Sequence, residues 1–295
     1  MKWWLPLIVL VLSACSSLAT APTDERENED TPPTTEEQEA AEEVDKEDPP
    51  TNTETPVPNT EEEDDESKNE NTSDNTRDPF SPQLAKEAFN QVKEVNGVPT
   101  IQNPQNVYTL VNKEMALPSD YKPSDLVRPN VRFVFGSEDV EKAYLRQDAA
   151  NALEALFQAA IDADITLFAT SGYRSYATQD YLFQAEIDQV GYEEAVRAVA
   201  EPGTSEHQTG LSMDITAASV NYSLTESFED TPEGTWLREN AHLFGFILRY
   251  PKEMESVTGY KYEPWHFRYV GKEIAKEIFK RGITYEEFIE EAEAV

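Results

Sequence analysis

At about Phe80 the chain changes character, and that break limits what can fold. From Ser16 to Pro79 it consists largely of Glu, Asp, Thr, Asn and Pro, with almost no large apolar side chains. Such a segment has too little surface to bury against the entropy cost of ordering itself. Beyond the break, aromatic and aliphatic side chains return at regular intervals over the 215 residues 81–295, enough for one domain with its own core. A disordered acidic tether followed by one folded domain is therefore expected. Residues 21–80 hold 23 acidic against 4 basic side chains, and residues 81–295 hold 35 against 19. Neither part offers the basic surface that a phosphate backbone requires, so nucleic acid is not an expected partner.

Ahead of the tether, Met1-Lys2 leads into an apolar run from Trp3 to Leu12 and then Leu12-Ser13-Ala14-Cys15. This reads as an export signal ending in a lipobox-like sequence; a permanent membrane span needs about 20 apolar residues. Cys15 is the single cysteine, which excludes a disulfide within the chain, and it stands where bacterial lipoprotein signals place the residue that is diacylated. The expected organisation is a signal over 1–14, a tether over 15–80 headed by lipidated Cys15, and a folded domain over 81–295, held at the outer face of the cell membrane by the lipid alone. About 65 tether residues span on the order of 45 Å as a flexible coil and up to roughly 200 Å when stretched. The segment then serves as spacer and solubiliser together.

Within the domain, Asn106 to Val111 reads as a strand, and the stretch from Leu117-Pro118 to Val127-Arg128-Pro129 is turn-rich. From Val140 to Ile161, Ala149, Ala152, Leu153, Leu156, Ala159 and Ala160 recur at helical spacing. A strand from Ile165 to Thr170 follows, then a helix through about Gln189 and another from Tyr192 to Ala200, stopped by Pro202-Gly203. Leu211 to Ile215, Phe244 to Tyr250 and Pro264 to Val270 read as strands; Thr235 to Leu243, Lys272 to Lys280 and Tyr285 to Ala292 read as helices. Helices and strands mix without regular alternation, which predicts an α+β fold with a small, mainly antiparallel sheet flanked by helices.

The chain has three histidines. Two lie in Ser205-Glu206-His207-Gln208-Thr209-Gly210-Leu211-Ser212-Met213-Asp214 and in Glu263-Pro264-Trp265-His266. Catalytic zinc takes three ligands from His, Asp and Glu and keeps a position open for water, and His207, Asp214 and His266 supply that set for one ion. Glu263, three residues before His266, is the candidate base that takes a proton from water and passes it to the departing amine. Arg174, in Ser171-Gly172-Tyr173-Arg174-Ser175, carries a fork suited to a carboxylate or an oxyanion. Ser175, Gln179 and Ser205 are polar candidates for holding a substrate backbone, and Gly210 permits a tight approach. His242 falls near a helix end, where an imidazole satisfies open carbonyls, and is expected to be structural.

Taken in order, these residues resemble the VanY-type D-alanyl-D-alanine carboxypeptidases, zinc peptidases that share a fold with the VanX dipeptidases and the N-terminal signalling domain of hedgehog. Ser205, His207, Gly210, Ser212 and Asp214 meet the family pattern, with Ser212 where many relatives carry Ala, and Glu263 with His266 meets the Glu-x-x-His element. Ser171 to Ser175, Gln179, the Asn240 to Pro251 segment and Glu263 to Gly271 also look like family blocks, and the similarity extends over most of residues 105–290. The resemblance implies a zinc carboxypeptidase that removes C-terminal D-alanine from peptidoglycan stem peptides, by D,D or by L,D cleavage; a monomer is expected. In it His207, Asp214 and His266 hold the metal, Glu263 is the base, and Arg174 binds substrate or stabilises the transition state. The alternatives are a non-catalytic zinc-containing module that binds wall peptides, since function lives in the site and not the fold, and a wall endopeptidase.

Overall fold

The computed structural model describes residues 82–295; the signal expected over 1–14, the tether expected over 15–80 and Cys15 lie outside the described residues. The described chain opens with Gln83–Leu84, which pairs in parallel with Glu293–Ala294 near the other end. A hairpin follows, β1 (Val92–Val95) and β2 (Val98–Ile101). Its turn is Asn96-Gly97 with φ of 53° and 83°, the pair that best tolerates the mirror-image turn matching strand twist. This hairpin is not among the strands expected from the sequence, although Asn-Gly between valine-bearing runs is its signal.

Asn106 to Val111, expected as a strand, is instead a series of turns. The Asn106 carboxamide accepts from Tyr108 N at 3.0 Å and donates to Ala88 O at 2.5 Å, so a side chain takes the backbone partner that a strand would need. Leu110 and Val111 are buried all the same. The first long helix also begins later than expected. Helix α1 is Gln147–Asp162, preceded by a 3-10 turn over Glu141–Ala143 and by Leu145–Arg146, which pairs with Leu126–Val127. Gly172 N donates to Lys142 O, Tyr173 N to Tyr144 O, and Arg146 N to Gly210 O. With those groups committed to distant partners, no helix can run through residues 142–146.

The central sheet has four strands, β3 (Phe168–Ser171), β4 (Ser212–Thr216), β5 (Phe246–Leu248) and β6 (His266–Tyr269), in the order β3-β4-β6-β5 and antiparallel throughout. Helix α1 lays Leu153, Leu156, Phe157 and Ala160 against the core to which Met213, Ile215, Phe246 and Phe267 of the sheet belong. Each large apolar side chain so buried contributes roughly 1.5–3 kcal/mol. The other helices longer than one turn are α2 (Tyr176–Val190), α3 (Tyr192–Ala198), α4 (Pro232–Asn240), α5 (Lys272–Arg281) and α6 (Tyr285–Glu291). Each falls close to its expected range. Helix α6 starts on a capping box, with Thr284 Oγ1 accepting from Glu287 N and the Glu287 carboxylate accepting from Thr284 N. The α+β architecture with a small antiparallel sheet is as the sequence predicts. No described helix is long and apolar enough to cross a membrane.

Candidate active site

Alternation along two short strands creates the site. In β4, Ser-Met-Asp-Ile-Thr, the residues Met213 and Ile215 face the core, so Asp214 faces the opposite side. In β6, His-Phe-Arg-Tyr, Phe267 joins the core and His266 and Arg268 turn away from it. The register pairs Asp214 with both Ser171 and His266, and Ser212 with Arg268. Two candidate ligands from distant parts of the sequence thereby become neighbours on one face. His207 arrives from the 3-10 turn Glu206–Thr209 just before β4, closed by Gly210 with φ of 65°. A Cβ at Gly210 would come within 2.8 Å of Leu126 Cδ2, so the expected close approach is real.

His207 Nε2 lies 3.4 Å from Asp214 Oδ2, and His266 Nδ1 lies 3.1 Å from Asp214 Oδ1. One donor atom from each of the three residues falls within 4.8 Å of the others. His207 Nδ1 sits 2.8 Å from Gly172 O, which makes it the donor and leaves Nε2 as the lone-pair nitrogen turned to Asp214. Asp214 Oδ1 is buried without a hydrogen bond; the His266 ring is close but out of line. An ion held by zinc–nitrogen and zinc–oxygen bonds of about 2.0–2.2 Å needs donors of this kind a little over 3 Å apart. The residues present fit a small divalent cation, and the orphaned carboxylate oxygen is what such an ion would satisfy. Burial pushes His207 down to about 3. Burial also opposes the charging of His266, but its contacts with Asp214 and Glu206 push it up to about 9.

Glu263-Pro264-Trp265-His266 is a tight turn, with His266 N donating to Glu263 O at 3.1 Å and proline at the position where its fixed φ suits a turn. The turn folds Glu263 back over the strand it precedes, placing Oε2 3.7 Å from His266 Nδ1. Burial raises the Glu263 carboxyl to about 7. Arg174 follows β3, and its backbone N donates to His207 O. Its guanidinium is held by neutral groups, Gln179 Oε1 at 2.9 Å and Ser171 Oγ at 3.1 Å. A cavity of about 140 Å³ is lined by Arg174, His207, Asp214, Glu263 and His266, with Tyr250, Tyr260 and Trp265 among its walls.

The polar candidates separate. Ser205 and Gln179 line the cavity, but Gln179 is fully buried and occupied at both ends, accepting from Arg174 and donating to Ala200 O at 2.7 Å. Ser175 is not among the lining residues. It caps α2, its Oγ accepting from Thr178 N, while its own N donates to Glu141. His242 lies away from the site, its ring stacked on Phe279 at 3.7 Å between centroids. Its Nδ1 is buried without a partner, so it does not satisfy open carbonyls as expected.

The sequence reading passed over Glu206 and the cavity walls Tyr250 and Tyr260. Glu206, wholly buried, accepts on Oε1 from Arg249 Nε at 2.7 Å and from an Arg268 terminal nitrogen at 2.9 Å. Its Oε2 accepts from Ser212 Oγ at 3.1 Å and faces His266 Nε2 at 3.4 Å. Burial opposes its ionisation, yet the two guanidinium groups hold its carboxyl well below the usual range. The available signal was a pair of arginines, Arg249 and Arg268, inside otherwise apolar strand segments; buried cations there require a buried carboxylate.

Residues 142–272 match the family model for VanY, D-alanyl-D-alanine carboxypeptidase. The protein YodJ of Bacillus subtilis (strain 168) is 49% identical over 212 residues, 72% of this chain and 77% of that one. Among solved structures, the LdcB LD-carboxypeptidase superposes with a TM-score of 0.70 at 49% identity, covering 72% of this chain and 99% of its own. The vancomycin resistance D,D-dipeptidase VanXYg, solved with a D-Ala-D-Ala phosphinate analogue, gives a TM-score of 0.53 at 30% identity, covering 62% of this chain and 70% of its own.

Proposed function

Because the chain belongs to the VanY family of D-alanyl-D-alanine carboxypeptidases, we propose that it is a zinc-dependent carboxypeptidase removing C-terminal D-alanine from peptidoglycan stem peptides, with L,D cleavage favoured over D,D. The observation that carries the catalytic reading is the placement of Glu263 beside His266 in one cavity with Arg174. The L,D preference rests on the likeness to LdcB, at 49% identity over nearly all of its chain. His207 through Nε2, His266 through Nδ1, and Asp214 would hold the ion. When bound, zinc supplies Lewis acidity toward the scissile carbonyl and lowers the pKa of water toward about 7.

This chain's own groups do the rest. Glu263 Oε2, in a carboxyl whose pKa burial brings near 7, takes a proton from the attacking water and returns it to the departing amine; a base is most effective when its pKa is near working pH. Among the described residues Arg174 is hydrogen-bonded by the neutral Gln179 and Ser171 and paired with no carboxylate, so its fork is available to the peptide's terminal carboxylate or to the charge developing on the scissile oxygen. Gln179, anchored to Ala200 O, sets the angle of that fork. Tyr250, Tyr260 and Trp265 screen the reacting bond from bulk water, where charge–charge interactions weaken.

Delivery to the wall is assigned to residues 1–80: cleavage before Cys15, lipidation of its thiol and an acidic tether. Replacing Cys15 with Ser should abolish incorporation of a clickable fatty acid and release the protein from membranes.

The deciding assay measures free D-alanine released by the zinc-loaded full chain from two synthetic stem peptides, one ending in D-Ala-D-Ala and one in a single D-Ala, beside Glu263→Ala. Release from the single-D-Ala peptide that is lost in the variant supports the reading. Release from the D-Ala-D-Ala peptide alone would move the assignment to D,D cleavage. Zinc binding with no release from either would overturn the carboxypeptidase reading.

A further inference from the structure

The two largest fully buried side chains among the described residues are arginines, Arg249 and Arg268, and both lie under the candidate metal centre. Arg268 is held by Glu206 and by the carbonyls of Tyr269, Val107 and Thr109. Arg249 divides its donors differently. Its Nε reaches Glu206 Oε1 at 2.7 Å, while its two terminal nitrogens clasp Glu286, at 2.8 Å to Oε2 and 2.5 Å to Oε1. Glu286 stands in the first turn of α6, beyond residue 272 where the family match ends.

That division decides which oxygen of Glu206 remains for His266. A guanidinium fork engages a carboxylate through two parallel bonds when it can. Occupied by Glu286, Arg249 offers Glu206 a single donor on Oε1, and Oε2 stays turned toward Ser212 and His266 Nε2. With Glu286 neutralised, Glu206 becomes the carboxylate in reach of the whole fork, and Oε2 is drawn off the histidine. A histidine that presents one ring nitrogen to a cation carries its proton on the other and is oriented by the acceptor found there.

We propose that Glu286 is a positioning residue of the metal centre, fixing Arg249 so that Glu206 holds the Nε2–H edge of His266 and Nδ1 faces Asp214. This rests on reading His207, Asp214 and His266 as metal ligands. It makes helix α6 part of the site, although no atom of the helix lines the cavity.

The test compares the full chain with Glu286→Gln, Glu286→Asp and Glu287→Gln. Zinc affinity is measured by competition with a chelating indicator, the visible spectrum is recorded after loading with Co²⁺, and thermal melting is followed without metal. Removing an outer partner of a ligating histidine weakens metal binding about 10–100-fold. That loss, with a shifted Co²⁺ spectrum, is expected for Glu286→Gln; Glu286→Asp, which keeps the charge and shortens the reach, should fall between it and the native chain. Glu287→Gln weakens the capping box of the same helix and lowers the melting temperature, but should leave zinc affinity and the Co²⁺ spectrum unchanged. Native affinity and spectrum in Glu286→Gln would overturn the proposal, as would an equal loss in Glu287→Gln. If Glu286→Gln does not fold, Glu286→Asp against Glu287→Gln decides by the same criteria. A native chain that binds no zinc would refute the ligand assignment itself, an outcome distinct from both.

Discussion

Replacing Glu206 with Gln tests whether the buried charge beneath the site stabilises the fold. Counting carboxylates and guanidinium groups alone, Glu206 and Glu286 balance Arg249 and Arg268, and neutralising Glu206 leaves one positive charge uncompensated where both arginine side chains are 0% exposed. Removing one partner of a buried pair costs about 3–5 kcal/mol. Arg249 retains Glu286, Arg268 retains three backbone carbonyls, and the new amide still accepts a hydrogen bond, which together place the loss near the lower end, at about 3 kcal/mol. For a domain of this length each kcal/mol moves the melting temperature by about 2–4 °C, so Tm should drop by about 6–12 °C in metal-free protein at pH 7. Acid supplies a second reading. The Glu206 carboxyl is held well below its ordinary value when folded, and in the unfolded chain it titrates near about 4.3. Its contribution is therefore complete above the unfolded value and lost as pH falls toward the folded one. The gap in Tm between native chain and variant should widen from pH 8 toward about pH 6, as His266, which Glu206 helps hold at about 9, gains its proton, then stay flat to about pH 5 and close below about pH 4. A gap under about 2 °C at pH 7, or one that widens below about pH 5, would refute the argument.

Glu263→Gln should retain zinc while turnover falls by about 10²–10⁴-fold, measured as D-alanine release beside metal content; an active variant would remove Glu263 as the base. Since that base must be ionised and its carboxyl is raised to about 7 by burial, with a nearby divalent cation lowering it, kcat/KM should decline on the acid side at or below about pH 7, and a profile flat down to pH 4 would contradict the assignment. Arg174→Lys removes the planar fork and should reduce kcat/KM by about 10²-fold, with little change in Tm. Gly172→Ala places a Cβ 2.5 Å from Tyr144 O and 3.0 Å from Met213 Cε. It should cost about 1–3 kcal/mol and, by displacing the carbonyl that orients His207, weaken zinc binding; differential scanning calorimetry and chelator competition read the two effects.

The candidate metal triad was legible because its parts are local: His207, Gly210 and Asp214 fall within eight residues, and Glu263 with His266 within one turn. Helix positions were legible from apolar spacing. What the sequence hid depends on partners far along the chain. Glu206 stands beside His207 in plain view, but its role needs Arg249 and Arg268, 43 and 62 residues away. Asn106 to Val111 carries the composition of a strand, and only the Asn106 side chain, through its contacts with Ala88 and Tyr108, reveals the turns. Ser175 was misplaced because serine at a strand-to-helix junction serves equally as substrate contact or helix cap, and here it is the cap.

The alternation in β4 and β6 has a consequence for how such a domain can diversify. The positions that hold Asp214, His266 and Arg268 interleave with those that hold Met213, Ile215 and Phe267, so an insertion of one residue in either strand exchanges the two sets and destroys site and core together. The strands are closed to changes of length. The turn through Ala198, Val199 and Ala200 and the approach from Tyr260 to Trp265 also line the cavity, and neither belongs to the sheet. New substrate preferences in a lineage built on this scaffold would be recorded there, as insertions and deletions in the walls around an unchanging floor.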